Sequence, residues 1–166
     1  MLKNSDELNG MRVAGKLAAE VLEMITDFVK PGISTGELDE ICFKYITDVQ
    51  KAIPANVGYR GFKKTLCTSI NQVICHGIPD TNRILKSGDI MNIDVTVIKD
   101  GWHGDTSKMF LIGKAQSHNE RLVRVTQECL YKGIEAARPG ARLGDIGNAI
   151  QIHAEKNYYS VVEEYC

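Results

Sequence analysis

The chain has 166 residues, 43% of them hydrophobic, and a formal net charge of −1, values typical of one soluble globular domain. The near-neutral charge and the lack of a Lys- or Arg-rich run argue against direct nucleic-acid binding. No stretch is apolar and long enough to cross a membrane, and the N-terminal residues lack the apolar core of a signal peptide. Five scattered cysteines without a C-x-x-C pair argue against a disulfide framework and a Cys-rich zinc module, and they indicate a reducing cytoplasm.

Two helices are predicted in the first forty-odd residues. Ser5 can cap the first helix, and the Lys-Pro-Gly sequence at residues 30–32 is expected to end it. Ser34 and Glu37 form a capping-box pattern that opens the second helix. The predicted buried faces contain Met11, Ala14, Leu17, Ala18, Val21, Ile25 and Phe28 in the first helix, and Leu38, Ile41, Cys42, Tyr45 and Ile46 in the second.

Residues 52–112 are rich in β-forming residues separated by turn residues, which predicts antiparallel strands. The predicted strands are KTLCTSI, QVICHGI, DIMNIDVTVI and WHGDTSKMFLI. Two more helices are predicted after residue 112. A capping-box pattern at Ser117 and Glu120 opens the third helix, Arg-Pro-Gly at residues 138–140 ends it, and residues 158–166 are predicted to form a short strand after the fourth. The predicted buried faces contain Leu122, Val125, Cys129, Leu130, Ile134 and Ala137 in the third helix, and Leu143, Ile146, Ala149, Ile150 and His153 in the fourth.

The two helix pairs share a junction pattern at an offset of 108 residues. Residues 30–41 and 138–149 both contain a proline, two glycines, an acid and an aliphatic residue in the same order. Helix–Pro–Gly–helix is also a common stop signal, so the junction alone leaves both interpretations open. The shared order of elements favours one domain, residues 1–166, made of two related halves, residues 1–112 and 113–166. Because few residues follow the second helix pair, we expect the chain to be cut inside its second half.

Two aspartates, Asp94 and Asp105, lie in the last two predicted strands, where carboxylates are unusual. If Lys99 and Asp100 form the connecting loop, the aspartates lie directly opposite each other, and this register is the one we predict. If the loop is Asp100 and Gly101, they lie diagonally on the same face. A bulge would change either arrangement.

Adjacent carboxylates repel each other, so a shared proton, a basic partner or a cation must compensate. No Lys or Arg is predicted opposite either acid, which favours a divalent-metal site over a solvated hairpin that happens to carry two acids. In the predicted register the two faces of the hairpin differ in character. The face of the aspartates also holds Asn92, Thr96, His103 and Ser107, and the opposite face holds Ile93, Val95, Val97 and Trp102.

A second candidate is His76, which follows a predicted strand and precedes a glycine and a proline. Strand ends and turns often display functional polar groups. A surface histidine with an ordinary hydrogen bond fits the same pattern and is slightly favoured by the sequence alone. Cys75 is interpreted as a small buried hydrophobic residue. Residues 59–62 (YRGF) could line an apolar pocket or cover the core.

These segments, with MRVAGKLAAEVLEM, VKPGISTGELDEI and VTQECLYKGI, resemble the bacterial type I methionine aminopeptidases from about residue 5 to Cys166. The pattern I-D-V-T-x₇-G-D-T-S at residues 93–107, with C-H-G-I-P upstream, is highly specific. The resemblance implies an α+β pita-bread fold, also called creatinase/aminopeptidase-like, built from two pseudo-symmetric halves. The chain would contain the N-terminal half and the helix pair of the second half.

The resemblance implies metal-dependent removal of the initiator methionine from nascent proteins. Asp94 and Asp105 correspond to two of five ligands of a site for two divalent cations (Co, Mn, Fe, Zn or Ni), with Asp105 bridging both. His76 corresponds to a catalytic histidine that hydrogen-bonds the substrate. The three remaining ligands, a histidine and two glutamates, one of the glutamates being the general base, have no counterpart in this chain, and neither does a second histidine of the family. We therefore expect the chain to be inactive alone.

The resemblance also assigns a methionine pocket to Tyr59, Phe62 and Cys67, with Phe62 standing where many family members have a tyrosine. The implied partners are peptides and nascent proteins that begin with Met, together with the ribosome. Direct nucleic-acid or membrane contacts are not expected, and the complete enzyme is expected to be a cytoplasmic monomer. The alternative is a non-catalytic truncated homologue that binds peptides or proteins. An X-Pro aminopeptidase relative is disfavoured, because such proteins usually carry an additional N-terminal domain.

Overall fold

The computed structural model describes residues 4–163, which divide into two compact units after Ala115. The first unit contains two helices and a four-stranded antiparallel sheet, and the second contains a helix pair. The elements are α1 (Ser5–Ile25), α2 (Thr35–Lys44), a π-helical turn (Tyr45–Val49), β1 (Ile53–Pro54), a 3₁₀ turn (Tyr59–Gly61), β2 (Leu66–Ile70), β3 (Ile90–Lys99), β4 (Trp102–Leu111), α3 (Ser117–Ala136) and α4 (Leu143–Lys156).

Both helices of the first unit begin with a capping box, but the first cap differs from the prediction by one residue. Asn4, not Ser5, caps α1: its side chain accepts from the Glu7 N–H at 2.9 Å, and Glu7 accepts from the Asn4 N–H at 2.9 Å. Asn serves here because its side-chain oxygen reaches the third helical N–H. The Ser34–Glu37 box at α2 is confirmed. The α1 helix ends at Ile25, earlier than residues 30–32.

Strand β3 lies at the centre of the sheet. It pairs along its whole length with β4 on one edge, and with β2 and then β1 on the other edge. Ile93, Val95 and Val97 of β3 are fully buried beneath α1 and α2. Their opposite neighbours along the strand are half-buried, because successive side chains of a strand point to opposite faces of the sheet. One face of β3 therefore builds the core and the other is available for chemistry.

The predicted helix faces of the first unit are confirmed in their centres and wrong at their ends. Ala14, Ala18, Val21 and Ile25 are buried, whereas Met11 and Phe28 are about two-fifths exposed, at 44% and 41%. In α2 and the turn that follows it, Leu38, Cys42 and Ile46 are buried, and Ile41 and Tyr45 pack against them. Leu22, which the prediction left out, is buried too.

The predicted strand QVICHGI is wrong, because residues 72–78 form an irregular loop. Asn71 and His76 adopt left-handed φ angles of 53° and 56°, which break an extended run at both ends. Val73 and Ile74 are 40% and 62% exposed, so no buried face holds them in a strand. The loop still follows β2, since the Thr68 N–H donates to the Gly77 carbonyl at 2.7 Å. The two-residue strand β1 was not predicted.

In the second unit, Val125, Cys129 and Ala154 form a small core with Ile150, Tyr159 and Val161 around it. The predicted face of α3 is confirmed at Val125 and Cys129. Leu130 and Ile134 are 57% and 58% exposed, Leu122 and Ala137 are exposed as well, and Leu143 of α4 is 88% exposed, so these five predictions of burial are wrong.

The ends of the second unit also differ from the predictions. Gln116, not Ser117, is the residue before α3, and it makes no side-chain cap. The helix ends at Ala136, as residues 138–140 predict. The predicted terminal strand is absent over residues 158–163, and its last residues, 164–166, lie outside the described part.

Two further predictions concern cysteines and membranes. Cys42, Cys67, Cys75 and Cys129 are free thiols, and Cys166 lies outside the described residues. Between residues 4 and 163, no helix combines the length and apolar character needed to span a membrane.

Gly104 of β4 allows α1 to approach the sheet closely. A Cβ atom at this position would overlap the backbone of Ala14 and Gly15. We expect Gly104→Ala to lower the free energy of unfolding by about 1–3 kcal/mol, because helix or strand must move apart to admit the methyl group. Chemical denaturation of both proteins measures this difference.

Gly15→Ala is the matched control, since Gly15 lies on the exposed side of the same contact and nothing surrounds its Cβ position within 4 Å. It is expected to leave stability unchanged or to raise it by up to about 1 kcal/mol, the helix-propensity gain of alanine. Equal effects of the two substitutions would contradict the close-approach argument.

Candidate metal and peptide site

The β3–β4 hairpin has the second of the two registers considered from the sequence. Lys99 pairs with Trp102, so Asp100 and Gly101 form the loop, and their φ angles are 50° and 83°. A two-residue hairpin turn of this kind needs positive φ at both central positions, which Asp-Gly supplies better than Lys-Asp. The prediction that Asp94 lies directly opposite Asp105 is therefore wrong.

In the observed register, Asp94 pairs with Ser107, and Asp105 pairs with Thr96. The two aspartates are diagonal neighbours on the same face of the sheet, within reach of long or bridging contacts. On the neighbouring strand, Cys67 pairs with Asp94. As predicted, the same polar face also carries Asn92, Thr96, His103 and Ser107. The observed register differs from the predicted one by two residues, so the same side chains remain on this face.

A cavity of about 590 Å³ opens over this face of the first unit. It brings together all six residues that the sequence predicted for a site, from three strands and two loops. It also contains residues to which the sequence analysis assigned no site role. The lining residues are Asn56, Tyr59, Arg60, Gly61, Phe62, Cys67, His76, Ile78, Asp94, Thr96 and Asp105.

Two of the unassigned residues had no distinctive sequence signal. Asn56 lies in an unremarked turn, where its side-chain amide donates to the Thr65 carbonyl at 3.1 Å. Ile78 was counted within the strand that did not form. His103 lies on the aspartates' face of the hairpin but does not line the cavity. Only the folded arrangement distinguishes these three positions.

A buried carboxylate in α2 fixes the strand that carries Cys67. Asp39 is 6% exposed and accepts hydrogen bonds from the N–H groups of Thr65 and Leu66 at 2.7 and 2.9 Å. Burial raises the pKa of Asp39, while these two hydrogen bonds and the Lys64 ammonium, 3.8 Å away, act in the opposite direction. The helix thereby holds the first residues of β2 in place.

The loop that carries His76 is anchored on both sides of the cavity. Gly77 lies so close to β2 that a Cβ there would overlap the Thr68 backbone. Farther along, the Asp80 N–H donates to the Thr35 hydroxyl at 2.9 Å, and the Gly36 N–H donates to the Asp80 carbonyl at 3.1 Å. These contacts present the exposed imidazole of His76 to the cavity.

Electrostatic repulsion is concentrated at the two aspartates. Burial raises the pKa of Asp94, and the neighbouring Asp105 carboxylate raises it further, while His76 acts in the opposite direction. Across residues 4–163, neither aspartate forms an ion pair with a basic side chain. The pair is therefore a concentration of negative charge that, among the described side chains, only His76 partly offsets.

The same environment affects the neighbouring thiol. Burial, followed by the charge of Asp94, raises the pKa of Cys67 to about 11. Cys67 is therefore a neutral thiol at physiological pH and behaves as a small apolar group in the cavity wall.

The chemistry of these side chains fits part of a divalent-metal centre. Two adjacent carboxylates offer hard oxygen ligands, and a cation between them would relieve their repulsion. Within the described part of the chain, however, no group of three or more His, Cys, Asp or Glu side chains is arranged to hold a metal ion. Asp94 and Asp105 therefore have the chemistry of one side of a divalent-metal site.

Known proteins match the chain closely along its length. The profile of metallopeptidase family M24 matches residues 9–166. Over 165 residues the chain is 61% identical to a methionine aminopeptidase of Salmonella typhimurium and 58% identical to one of Escherichia coli K12. Each alignment covers 99% of this chain and 62% of the relative, so the chain spans less than two thirds of these proteins' length.

Solved structures agree with the sequence matches. The crystal structure of methionine aminopeptidase from Rickettsia prowazekii superposes with a TM-score of 0.95 at 54% identity, covering 98% of this chain and 64% of that one. Prolidase from Pyrococcus furiosus, at 14% identity, shares the fold with a TM-score of 0.79 over 93% of this chain and 44% of its own. The predicted α+β pita-bread fold is confirmed.

The like-charge pair predicts a pH-dependent effect of Asp94→Asn on stability without added metal. Because the folded-state pKa of Asp94 is raised, the repulsion is absent below the ordinary aspartate pKa of about 4 and develops as pH rises through the folded value. At neutral pH, Asp94→Asn should raise the free energy of unfolding by roughly 0.5–1 kcal/mol, the scale of a cross-strand charge pair. Urea denaturation of variant and parent from pH 3 to pH 8 measures the difference.

The control is Asp27→Asn, which removes an exposed charge that does not line the cavity. It should give no comparable gain at any pH. A gain for Asp94→Asn that persists unchanged at pH 3 would show that the substitution acts through packing rather than through charge.

Proposed function

Because the chain belongs to metallopeptidase family M24, we propose that its cavity forms one wall of the active site of a methionine aminopeptidase, which removes the N-terminal methionine from proteins. The observation that supports this most directly is the diagonal pair Asp94 and Asp105, on the polar face of a hairpin, beside His76. An apolar side of the same cavity lies next to them. Hydrolysis of the peptide bond after an N-terminal methionine requires a metal-binding side, a hydrogen-bonding side chain and an apolar pocket.

The proposed metal ligands in this chain are Asp94 and Asp105, which would hold two divalent cations (Co, Mn, Fe, Zn or Ni), with Asp105 shared between them. When bound, such cations lower the pKa of water and stabilise negative charge on a reacting carbonyl oxygen. The central position of β3 and its pairing on both edges keep Asp94 rigid, which suits a ligand that must hold its geometry.

The proposed role of His76 is to hydrogen-bond the substrate next to the scissile amide. Its loop is held by β2 and by α2, which keeps the imidazole at the cavity. A positioned donor of this kind stabilises the oxyanion that develops when the amide carbonyl is attacked.

The proposed methionine pocket is formed by Tyr59, Phe62 and Cys67. Phe62 is half-buried and Cys67 is 8% exposed, which gives the cavity an apolar floor. A neutral Cys67 thiol suits a thioether better than a thiolate would. Phe62 offers no hydroxyl, so substrate recognition on this side depends on shape and apolar contact.

The same proposal also implies the substrates, the cellular location, the oligomeric state and the domain organisation. The substrates would be peptides and nascent proteins that begin with Met, met at the ribosome in the cytoplasm, and the complete enzyme would be a monomer. Residues 1–166 would form one domain made of two half-repeats, residues 1–112 and 113–166. Two carboxylates supply too few ligands for a tightly bound metal pair, so the 166-residue chain by itself would be inactive.

Metal binding tests the proposed ligands directly. Mn²⁺ added to the isotope-labelled chain should broaden the amide resonances nearest Asp94 and Asp105 first, because paramagnetic relaxation falls steeply with distance. Asp105→Asn should raise the Mn²⁺ concentration needed for this selective broadening at least tenfold, since one charged ligand is lost. Asp27→Asn should leave it unchanged. Broadening centred on other acidic residues would overturn the assignment.

Peptidase activity tests the claim about the isolated chain. With Met-Ala-Ser as substrate and added Co²⁺ or Mn²⁺, methionine release should be at least a hundredfold slower than that of the Escherichia coli relative under the same conditions. The reason is that, within the described residues, no third His, Cys, Asp or Glu joins the two aspartates to hold a metal ion. On this proposal the general base is missing as well, and loss of a base alone costs about 10²–10⁴ in rate. A rate within tenfold of that relative would contradict it. Binding of the peptide without turnover would favour the non-catalytic alternative.

A further inference from the structure

The loop at residues 58–62 presents a basic side chain to the cavity. Arg60 adopts a left-handed φ of 47°, between Gly58 and Gly61, whose φ angles are 89° and 82°. The Gly58 N–H closes the loop by donating to the Phe62 carbonyl at 2.7 Å. An arginine in this backbone region is uncommon, and the tight closure fixes the direction in which its side chain leaves the loop.

The guanidinium is held by an aromatic ring rather than by an acid. It lies over the Tyr59 ring at 5.5 Å from the centroid, and within residues 4–163 it forms no ion pair. Stacking on an aromatic face orients an arginine while leaving its N–H groups free to bind a planar anion. Arg60 is the one Lys or Arg among the described residues that line the cavity.

Arg60 lies at the rim of the cavity and not on its floor. It is exposed, and two other lining residues, Tyr59 and Ile78, are 65% and 68% exposed, whereas Cys67 on the floor is 8% exposed. A peptide that places its first side chain against the floor and its first amide near Asp94 must leave across the rim. The residues after the methionine therefore pass the guanidinium.

We propose that Arg60 is a specificity-determining residue that favours peptides with a carboxylate two residues after the N-terminal methionine. This inference rests on the proposed function, since it assumes that the methionine side chain enters the cavity. The charge of Arg60 supports it: within residues 4–163 the guanidinium forms no ion pair, so at the rim it can offer a peptide carboxylate a bidentate partner. Arg60 thereby selects where along the peptide an acid is accepted.

The test compares two peptides that differ in one charge. Met-Ala-Glu-amide and Met-Ala-Gln-amide are titrated into the 166-residue chain at low salt, and binding is followed by amide chemical shifts around the cavity. The Glu peptide is expected to bind about three- to fivefold more tightly, the upper range for an exposed ion pair. The ratio should fall towards one at 0.5 M NaCl, because salt screens an exposed pair.

Three variants separate charge from loop conformation. Arg60→Gln and Arg60→Gly should both reduce the ratio to about one; the glycine variant relieves the left-handed backbone, so it keeps the loop folded. Lys63→Gln removes an exposed positive charge three residues away that does not line the cavity, and it should keep the full ratio.

The outcomes distinguish this inference from the proposed function. If both peptides shift the cavity resonances with equal affinity in the parent chain, the role of Arg60 is overturned and the methionine pocket stands. If neither peptide perturbs residues around the cavity, the pocket is overturned and the inference with it. A ratio lost equally in Lys63→Gln would show general electrostatic attraction and would also overturn a specific role for Arg60.

Discussion

The pairing of β3 on both of its edges is the constraint on which the core and the candidate site both depend. Successive side chains of this strand alternate between the apolar layer under α1 and the polar floor of the cavity. A slip of one residue would send Asp94 into the core and Val95 into the cavity. The hydrophobic effect therefore holds the cavity-facing side of the strand in register, because burying Ile93, Val95 and Val97 necessarily directs Asp94 and Thr96 to the opposite face.

The hairpin shows how far sequence reasoning reaches. The alternation in residues 92–107 predicted which residues share a face, because parity is a local property of the chain. Whether the aspartates lie directly or diagonally opposite depends on a shift of the loop by one residue. The predicted direct opposition was wrong because Asp100 and Gly101 satisfy the turn better than Lys99 and Asp100. Both registers place the aspartates on one face, so their proximity could be predicted while their exact register could not.

Other errors have a common physical origin in tertiary context. QVICHGI has the composition of a strand, but no neighbouring strand pairs with it and no apolar layer covers it, so it remains a loop beside β2. In α3 the helical period was predicted correctly, yet the burial of Leu130 and Ile134 was not, because periodicity identifies a face without showing what packs against it. The segment 59–62 was a candidate pocket lining, but the sequence did not distinguish Arg60 within it, since the position of Arg60 depends on the left-handed turn of its own loop.

The loop that carries His76 is tied down at its two ends and free in its middle. Asn71 at one end bonds to the backbone and side chain at residues 89–90, and Gly77 at the other lies against β2, whereas residues 72–74 between them are exposed. The distance from the imidazole to the aspartates is thus set by the sheet and is independent of the contour length of the intervening segment. Insertions or deletions among residues 72–74 would change only the exposed part of the loop. This stretch can therefore diverge in evolution while His76 keeps its position.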